Sequence, residues 1–216
     1  MKMKKFSSEV IGVTGSAEKK IISDSVVWRS EFSERDFDMK VAFQNLKNDL
    51  AAVRAYLTGK GIAEGETVAG PAITQVLYKK DTRGNDTNEI EGYKLTQGIA
   101  VGSPDVLKVT DVSRQSTELI DQGIQFISFA PEYFYTKLAE LKVDMLAEAT
   151  RDAKERAGNM AKSTGRKIGV MRSAKMGVFQ ITPANSFEIS DYGMNDTTSI
   201  EKKVTAVVRA DFAISQ

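Results

Sequence analysis

The chain has 216 residues, with 30 basic against 29 acidic side chains and neither cysteine nor histidine. A net charge of +1 lacks the basic excess of nucleic-acid-binding proteins, so we expect no nucleic-acid partner. The missing residue types exclude disulfides, Cys/His zinc sites and histidine-based catalysis.

The N-terminus raises the question of targeting. Residues 1–6 resemble the basic start of a signal or anchor, but polar residues follow where an apolar segment is required. No run approaches the roughly 20 apolar residues that span a bilayer. Either the protein is cytoplasmic or an N-terminal targeting segment has been removed. We expect residues 1–9 to be disordered or cloning-derived, ahead of a single domain over 10–216.

The first elements in the chain are strands followed by a helix. Residues 10–17 and 23–33 alternate as strands do, and their closeness predicts a hairpin. Apolar residues then recur at helical spacing over 39–57, with Asp36 or Asp38 as the N-cap. This stripe is too short for a sustained coiled coil, which favours a helix packed on its own sheet over one that binds a partner helix.

A long hairpin is predicted next, with strands at 67–79 and 90–102. Its tip is polar and contains Asp81, Asp86 and Glu89. Because their spacing does not match an EF-hand loop, we interpret the tip as a solvated turn and predict no metal site.

A second helix is predicted directly after this hairpin. Ser103 suits the N-cap and Pro104 the first helical position. The pattern predicts a helix to about Gln122, ended by Gly123, and then a strand at 124–130.

The longest predicted helix spans residues 136–163, and strands at 167–182 and 201–214 follow it. The second half of its apolar face consists of alanines at every fourth position: Ala149, Ala153, Ala157 and Ala161. Small side chains in this pattern allow close approach to the layer beneath. The fold class is therefore α+β, a mixed or antiparallel sheet with three long helices in the order ββαββαβαββ.

The stretch AKSTGRKIGV, residues 161–170, contains the glycines and basic residues of a phosphate-binding loop. Such loops precede a helix and place its positive N-terminus against the anion. Gly165 instead follows a helix, so we interpret it as the residue of a C-terminal cap. The same order, helix then glycine then strand, occurs at Gly61 and Gly123.

Several stretches together carry a family resemblance: VTGSAEKKIISDSVVWRSEFS (13–33), YKLTQGIAVGSPDVLKV (93–109), LIDQGI (119–124), MLAEATRDAKERAGNMAKSTGRKIGVMRSAKMGVFQI (145–181) and DTTSIEKKVTAVVRADF (196–212). In these stretches and in their order, the sequence resembles the SIMPL-domain family. The positions that match the family motifs are Gly15, Asp24, Trp28, Tyr93, Gly123 and Gly165.

The resemblance implies an α+β domain found mostly in bacterial cell-envelope proteins, many of them membrane-anchored or periplasmic. Some members are similar to periplasmic antigens that form ring-like oligomers, and others are linked to stress tolerance. It supplies no catalytic, cofactor-binding or metal-binding residues. We therefore expect a non-enzymatic homo-oligomer of the envelope, with a stress-related or interaction role and no cofactor.

An alternative is a module that binds a small molecule or a peptide. Tyr93 and Phe179 are candidate pocket residues, together with the cluster Tyr133, Phe134 and Tyr135. Three successive aromatic side chains do not all point inward, so we predict that Tyr133 or Tyr135 contributes to a subunit contact.

A carboxylate-based hydrolase is the third hypothesis, because sugar hydrolysis needs only two acidic groups. The candidates are Asp24, Asp105, Asp111 and Glu132. No pair of them has a recognisable spacing, and solvated or capping roles account for each, so we predict no catalytic residues.

Overall fold

A computed structural model describes residues 9–215 and divides them into two compact units. Unit 1 contains the described residues through Ser23 and those from Tyr135 onward, and unit 2 is Asp24–Phe134. The expectation for residues 1–9 lies, apart from Glu9, outside the described residues. A single domain over 10–216 stays a prediction.

The elements alternate between strands and helices along the chain. The strands are β1 (Val10–Ile22), β2 (Ser25–Asp36), β3 (Thr67–Lys80), β4 (Asp86–Ser103), β5 (Gln125–Ser128), β6 (Glu132–Phe134), β7 (Lys167–Met176), β8 (Gln180–Pro183), β9 (Met194–Asn195) and β10 (Glu201–Ser215). The helices are α1 (Met39–Gly59), α2 (Val106–Gln115), the single-turn α3 (Glu118–Asp121) and α4 (Leu138–Ser163), with a 3-10 turn at Glu64–Glu66. The predicted α+β class is confirmed, and the strands form two sheets.

Unit 2 is an antiparallel sheet in the order β3-β4-β2-β5, with β6 also paired to β2. Trp28 and Phe32 of β2 are buried on the face that α1 and α2 cover. Helix α1 begins after Asp38, whose carboxylate accepts a hydrogen bond from the Lys40 N–H at 2.7 Å. The predicted packing of this helix on its own sheet is confirmed.

In the first turns of α1, the residues that face the sheet differ from those that the apolar spacing predicts. Ala42 is buried, whereas Met39 and Phe43 are exposed. The predicted stripe is therefore correct only from Leu46 onward, because the smaller Ala42 is the residue that faces the sheet at the start of the helix.

Unit 1 is a sheet in the order β1-β10-β8-β9, with β7 also paired to β10. Helix α4 packs across β1 and β10. The alanine face predicted from the sequence is completely buried against this sheet: Ala149, Ala153, Ala157 and Ala161. Close helix–sheet approach is therefore the feature on which this unit is built.

The predicted hairpin of the first two strands is wrong. β1 continues through residues 18–20, beyond the predicted end of the strand at Ala17, and pairs along its whole length with β10. β2 pairs instead with β4, β5 and β6. Each strand therefore pairs over almost its whole length with a distant strand, β1 with β10 and β2 with β4.

The helix predicted from Ser103 is shorter than expected and begins later. Ser103 is the last residue of β4, and the cap is Asp105, which accepts a hydrogen bond from the Lys108 N–H at 3.1 Å. Pro104 precedes the cap. A break after Gln115 separates α2 from α3.

The strand predicted over 167–182 is two strands, β7 and β8, interrupted at residues 177–179. β6 and the two-residue β9 lie in segments for which no strand was predicted. Both are too short to show an alternating pattern in the sequence.

The three helix–glycine–strand junctions share one geometry. Gly61, Gly123 and Gly165 have φ angles of +83°, +86° and +72°, where a side chain would be strained. After α4, for example, the Gly165 N–H bonds to the Lys162 carbonyl and the Arg166 N–H to the Ala161 carbonyl. This Schellman pattern recurs after α1 and α3, which confirms the predicted C-terminal caps.

Candidate functional site

The family-motif position Gly15 lies where α4 crosses β1. A Cβ atom at Gly15 would stand 2.2 Å from the Ala149 carbonyl oxygen and 2.3 Å from the Ala153 nitrogen. The adjacent Ser16 N–H donates to the Asp152 carboxylate at 2.7 Å. The motif around Gly15 and the alanines of α4 are therefore two sides of one structural contact.

Three other motif positions also have structural roles. Trp28 is buried, and its Nε1–H donates to the Ser128 hydroxyl at 3.0 Å. Gly123 and Gly165 are the cap residues described above. These positions hold the fold and do not expose reactive groups.

Asp24 and Tyr93 are the remaining motif positions. Asp24 is half-buried just before β2, and its N–H donates to the Phe134 carbonyl at 3.0 Å. Tyr93 is half-buried on β4, opposite Asp36 of β2 and Val76 of β3.

The other candidate catalytic carboxylates have basic partners. Asp105 is 2.9 Å from the Lys108 ammonium, which holds the pKa of Asp105 below its usual value. Asp111 lies 3.7 Å from a guanidinium nitrogen of Arg114, and Glu132 is paired with Arg29. Each of these three carboxylates therefore serves an ion pair at the surface.

The hairpin tip between β3 and β4 is held by its own acidic residues. Asp81 accepts hydrogen bonds from the backbone N–H groups of Arg83 and Asn85. The bond from Asn85 is the larger cause of the lowered pKa of Asp81. Asp86 and Glu89 are ion-paired with lysines of β3. Within residues 9–215, no cluster of acidic side chains has an arrangement that would hold a metal ion.

The aromatic cluster at 133–135 is less exposed than expected. Tyr133 is buried on β6, with its hydroxyl 3.0 Å from that of Thr110. Phe134 is half-buried, and Tyr135 packs partly buried against the core of unit 1. A role for these residues in a subunit contact stays a prediction.

Phe179 is the other aromatic pocket candidate. Its ring packs against the core of unit 1, and the Lys142 ammonium lies 5.3 Å from the ring centroid. The ring therefore belongs to the edge of the core and also lines a pocket beside Lys142 and Tyr192, as predicted for a pocket residue.

The face of the unit 2 sheet opposite the helices is uncovered within the unit and combines exposed apolar side chains with the charged Arg29 and Glu31 of β2. We call it the outer face. Its exposed large apolar side chains are Val68, Ile73, Ile127 and Phe129. Val68 and Phe129 line a groove of about 650 Å³ on this face, together with Gly70, Gly98 and Ala100 and the ion pair of Arg29 and Glu132. Small residues along the sheet leave room there for a partner's side chains.

Unit 1 has a second groove, of about 550 Å³, between its sheet and the loop 184–193. The loop is fixed by Gln180, whose side-chain amide donates to the Ser190 carbonyl and accepts from the Ser190 N–H. Thr182 lines the groove, is 2% exposed and has a hydroxyl group without a hydrogen-bond partner. At the edge of the groove, Phe187 is 91% exposed.

Two charged sites were not found by sequence reasoning. Lys202 of β10 is 2% exposed, with its ammonium 3.5 Å from the Asp196 carboxylate and bonded to the Asp196 carbonyl. Burial lowers the pKa of Lys202 against the attraction of Asp196. The sequence does contain a signal for the burial of Lys202. The alternation of β10 places residues 202, 204, 206 and 208 on the same inward face.

The second such site joins α1 to β2. The Asp49 carboxyl lies beside Glu34, and burial together with this like charge raises the pKa of Asp49 to about 6. No local pattern indicates this pair, because 14 residues and a change of element separate its members in the sequence.

Comparison with family models supports the resemblance seen in the sequence. The family model of SIMPL, a protein of unknown function (DUF541), matches residues 11–212. No curated protein matches the chain. None of the helices in residues 9–215 combines the length and the apolar content needed to cross a bilayer.

Proposed function

The chain belongs to the SIMPL family, and we propose that it is a non-enzymatic cell-envelope protein that acts as a homo-oligomer with a scaffold or interaction role. The observation that carries this proposal is the outer face of unit 2. Val68 is 68% exposed there, Phe129 lines the same groove, and Ile73 and Ile127 are exposed on the same face. Contiguous apolar surface of this kind is typical of protein–protein contacts.

A non-enzymatic role is supported by the state of the acidic residues. Asp105, Asp111 and Glu132 are occupied by basic partners on exposed surface. The carboxyl with a raised pKa, Asp49, is held between α1 and β2 and lines neither of the two grooves described above.

The envelope location, the N-terminal anchor and the stress-related role rest on the family resemblance. Fractionation of cells that express the native gene tests the location. Recovery of the protein with the envelope is the expected result, and recovery in the cytosol contradicts it.

The first experiment on assembly is the native mass, measured by light scattering during size exclusion over a range of concentrations. A defined mass above that of one 23.7 kDa chain is expected. A monomer at every concentration overturns the proposal.

A matched pair of variants tests whether the outer face is the contact. Val68→Lys places a charge on that face, and Val143→Lys places one on α4, where the valine is equally exposed at 68%. We expect only Val68→Lys to lower the native mass. Equal masses for the two variants would exclude the outer face as the interface.

A small-molecule binding module is a second candidate function. The buried, unpartnered hydroxyl of Thr182 in the unit 1 groove favours it, because buried polar groups normally have partners. The groove also combines apolar walls with Lys203, whose ammonium lies 5.1 Å from the Phe187 ring centroid. Because Glu18, Glu188 and Asp191 also line the groove, it suits a largely apolar molecule whose polar group lies beside one of the lysines.

Anilinonaphthalene sulfonate, an apolar anion that fluoresces on binding, is a suitable probe for this groove. Val207→Trp would fill the groove and is expected to abolish the binding signal, whereas Val68→Lys would leave it intact. Binding that is unchanged by Val207→Trp would contradict a site in this groove.

A further inference from the structure

β3 is an edge strand with an unusual central segment. The sheet order places it at the end of the unit 2 sheet, paired only with β4. Residues 72–78, AITQVLY, contain no charge, glycine or proline. Pairing with β4 is regular from Ala72 to Leu77, with register shifts just before Ala72 and between Leu77 and Tyr78. The segment is therefore an uncharged edge whose first six residues pair regularly.

The other edges among residues 9–215 are protected. β1 has three charged residues at 18–20 and an N–H, that of Ser16, occupied by Asp152. β7 contains three basic residues and two register shifts against β10, and β5, β6 and β9 have four residues or fewer. Natural proteins use these devices to prevent edge pairing, so their absence from 72–78 is informative.

The hairpin of β3 and β4 also extends beyond the rest of its sheet. β2 pairs with β4 only from Tyr93 onward, which leaves the distal part of the hairpin with two strands. Tyr78 and Ile90, paired across these strands, are both exposed. Two-stranded ribbons are marginally stable in water, so an added strand would stabilise this one.

The geometry points to a second copy of this chain as that added strand. We propose that β3 pairs antiparallel with β3 of another copy over residues 72–78, with Gln75 opposite Gln75 on a two-fold axis. This inference rests on the proposed homo-oligomer and adds to the outer face a second contact, along the edge of the sheet.

Charge selects the antiparallel direction. Lys79 and Lys80 follow the segment, and a parallel in-register pair would place these lysines beside their counterparts. Like charges directly opposite each other are destabilising. In the antiparallel arrangement they lie opposite Pro71 and Gly70 instead.

The side chains also match in this register. Ile73, 67% exposed in one copy, lies opposite Leu77 of the other, and the same pair recurs across the axis. Thr74 lies opposite Val76, and Ala72 opposite Tyr78. Apolar and β-branched cross-strand pairs of this kind stabilise sheets.

The absence of cysteine makes the test direct, because a single introduced thiol is the only one in the chain. Gln75→Cys is expected to form disulfide-linked dimers on mild oxidation, since the two-fold axis brings its copies together. Ile73→Cys should not, because its copies are roughly 13 Å apart along the strands. Thr14→Cys, exposed on the edge strand β1, is the control for chance cross-linking.

Cross-linking by Gln75→Cys alone supports the inference. An oligomeric native mass without this cross-link, or with equal cross-linking of Ile73→Cys, overturns the inference and leaves the proposed function standing. A monomeric native mass at every concentration overturns both.

A second variant tests the contact without oxidation. Thr74→Lys places a charge on an exposed position of the segment and should raise the concentration at which half of the dimers dissociate by about tenfold or more. An unchanged dissociation midpoint, with cooperative unfolding retained, overturns the inference.

Discussion

The two sheets of this protein differ in how a helix packs on them and in what they leave exposed. In unit 1, α4 lies on β1 through glycine and alanine with no room for a larger side chain, and the long edges of the sheet carry charges or irregular pairing. In unit 2, α1 packs through larger side chains and a carboxyl pair, while one sheet face with large apolar side chains and one uncharged edge segment stay exposed. This difference is the reason why we place the proposed contacts on unit 2.

Breaking the buried ion pair should have the largest effect on unit 1. Asp196→Ala leaves the Lys202 ammonium buried without its carboxylate, and we expect a loss of about 3 kcal/mol in the free energy of unfolding. Lys202→Met should cost less, because an apolar side chain of similar length replaces the charge. Urea unfolding of both variants measures the difference, and equal losses would contradict the predicted asymmetry.

The close contact of α4 with β1 provides the next test. Gly15→Ala places a Cβ against the helix backbone and should destabilise the protein by about 3 kcal/mol. Gly12→Ala on the same strand meets only the movable side chain of Asp211 at 2.8 Å, so a loss below about 1 kcal/mol is expected. If both variants unfold at the same urea concentration, the contact is looser than described.

The carboxyl pair of unit 2 should appear as a pH effect. The pKa of Asp49 is raised to about 6, so the folded state keeps a proton on this carboxyl at pH values where the unfolded state has released it. Binding of this proton stabilises the folded state at low pH, and the stabilisation is lost as the pH rises from about 4 to 6. Asp49→Asn should therefore stabilise the protein at pH 7, by about 1 kcal/mol after allowance for solvent screening, and not at pH 4.

Urea unfolding at both pH values measures the effect of Asp49→Asn. Asp144→Asn, exposed on α4, controls for the general loss of one negative charge. A stabilisation by Asp49→Asn that is the same at pH 4 and pH 7 would contradict the assigned proton.

Both units have helices that end at glycines, and substitutions there should give the smallest changes in stability. The change should have opposite signs at Gly165 and Gly59. Gly165→Ala forces a side chain into the left-handed region and should cost about 1 kcal/mol. Gly59→Ala, in the last turn of α1 with open space around its Cβ, should stabilise by about 0.5 kcal/mol. Thermal unfolding resolves the two signs, and a stabilising Gly165→Ala would contradict the cap geometry.

Local signals in the sequence account for what was predicted correctly. The alanine spacing of α4, the apolar spacing of α1 after its first turns and the glycines at 61, 123 and 165 each depend on neighbouring residues only. The α+β class follows from the same signals.

The missed features depend on distant partners. The pairing of β1 with β10 joins residues almost 200 positions apart, so the nearby strand β2 was the natural but wrong choice. The exposed face of unit 2 was missed for the same reason, because a strand pattern does not show which face the helices will cover. The structure supplies that information through the sheet order.

The contact at Gly15 has a consequence for how this sequence can change over generations. A side chain at position 15 requires the helix to withdraw, and a larger residue at 149 or 153 would press α4 away from the strand beneath it. Substitutions at these three positions are therefore tolerated only in compensating combinations. Homologues that have lost this glycine should carry a displaced helix or a differently packed seam.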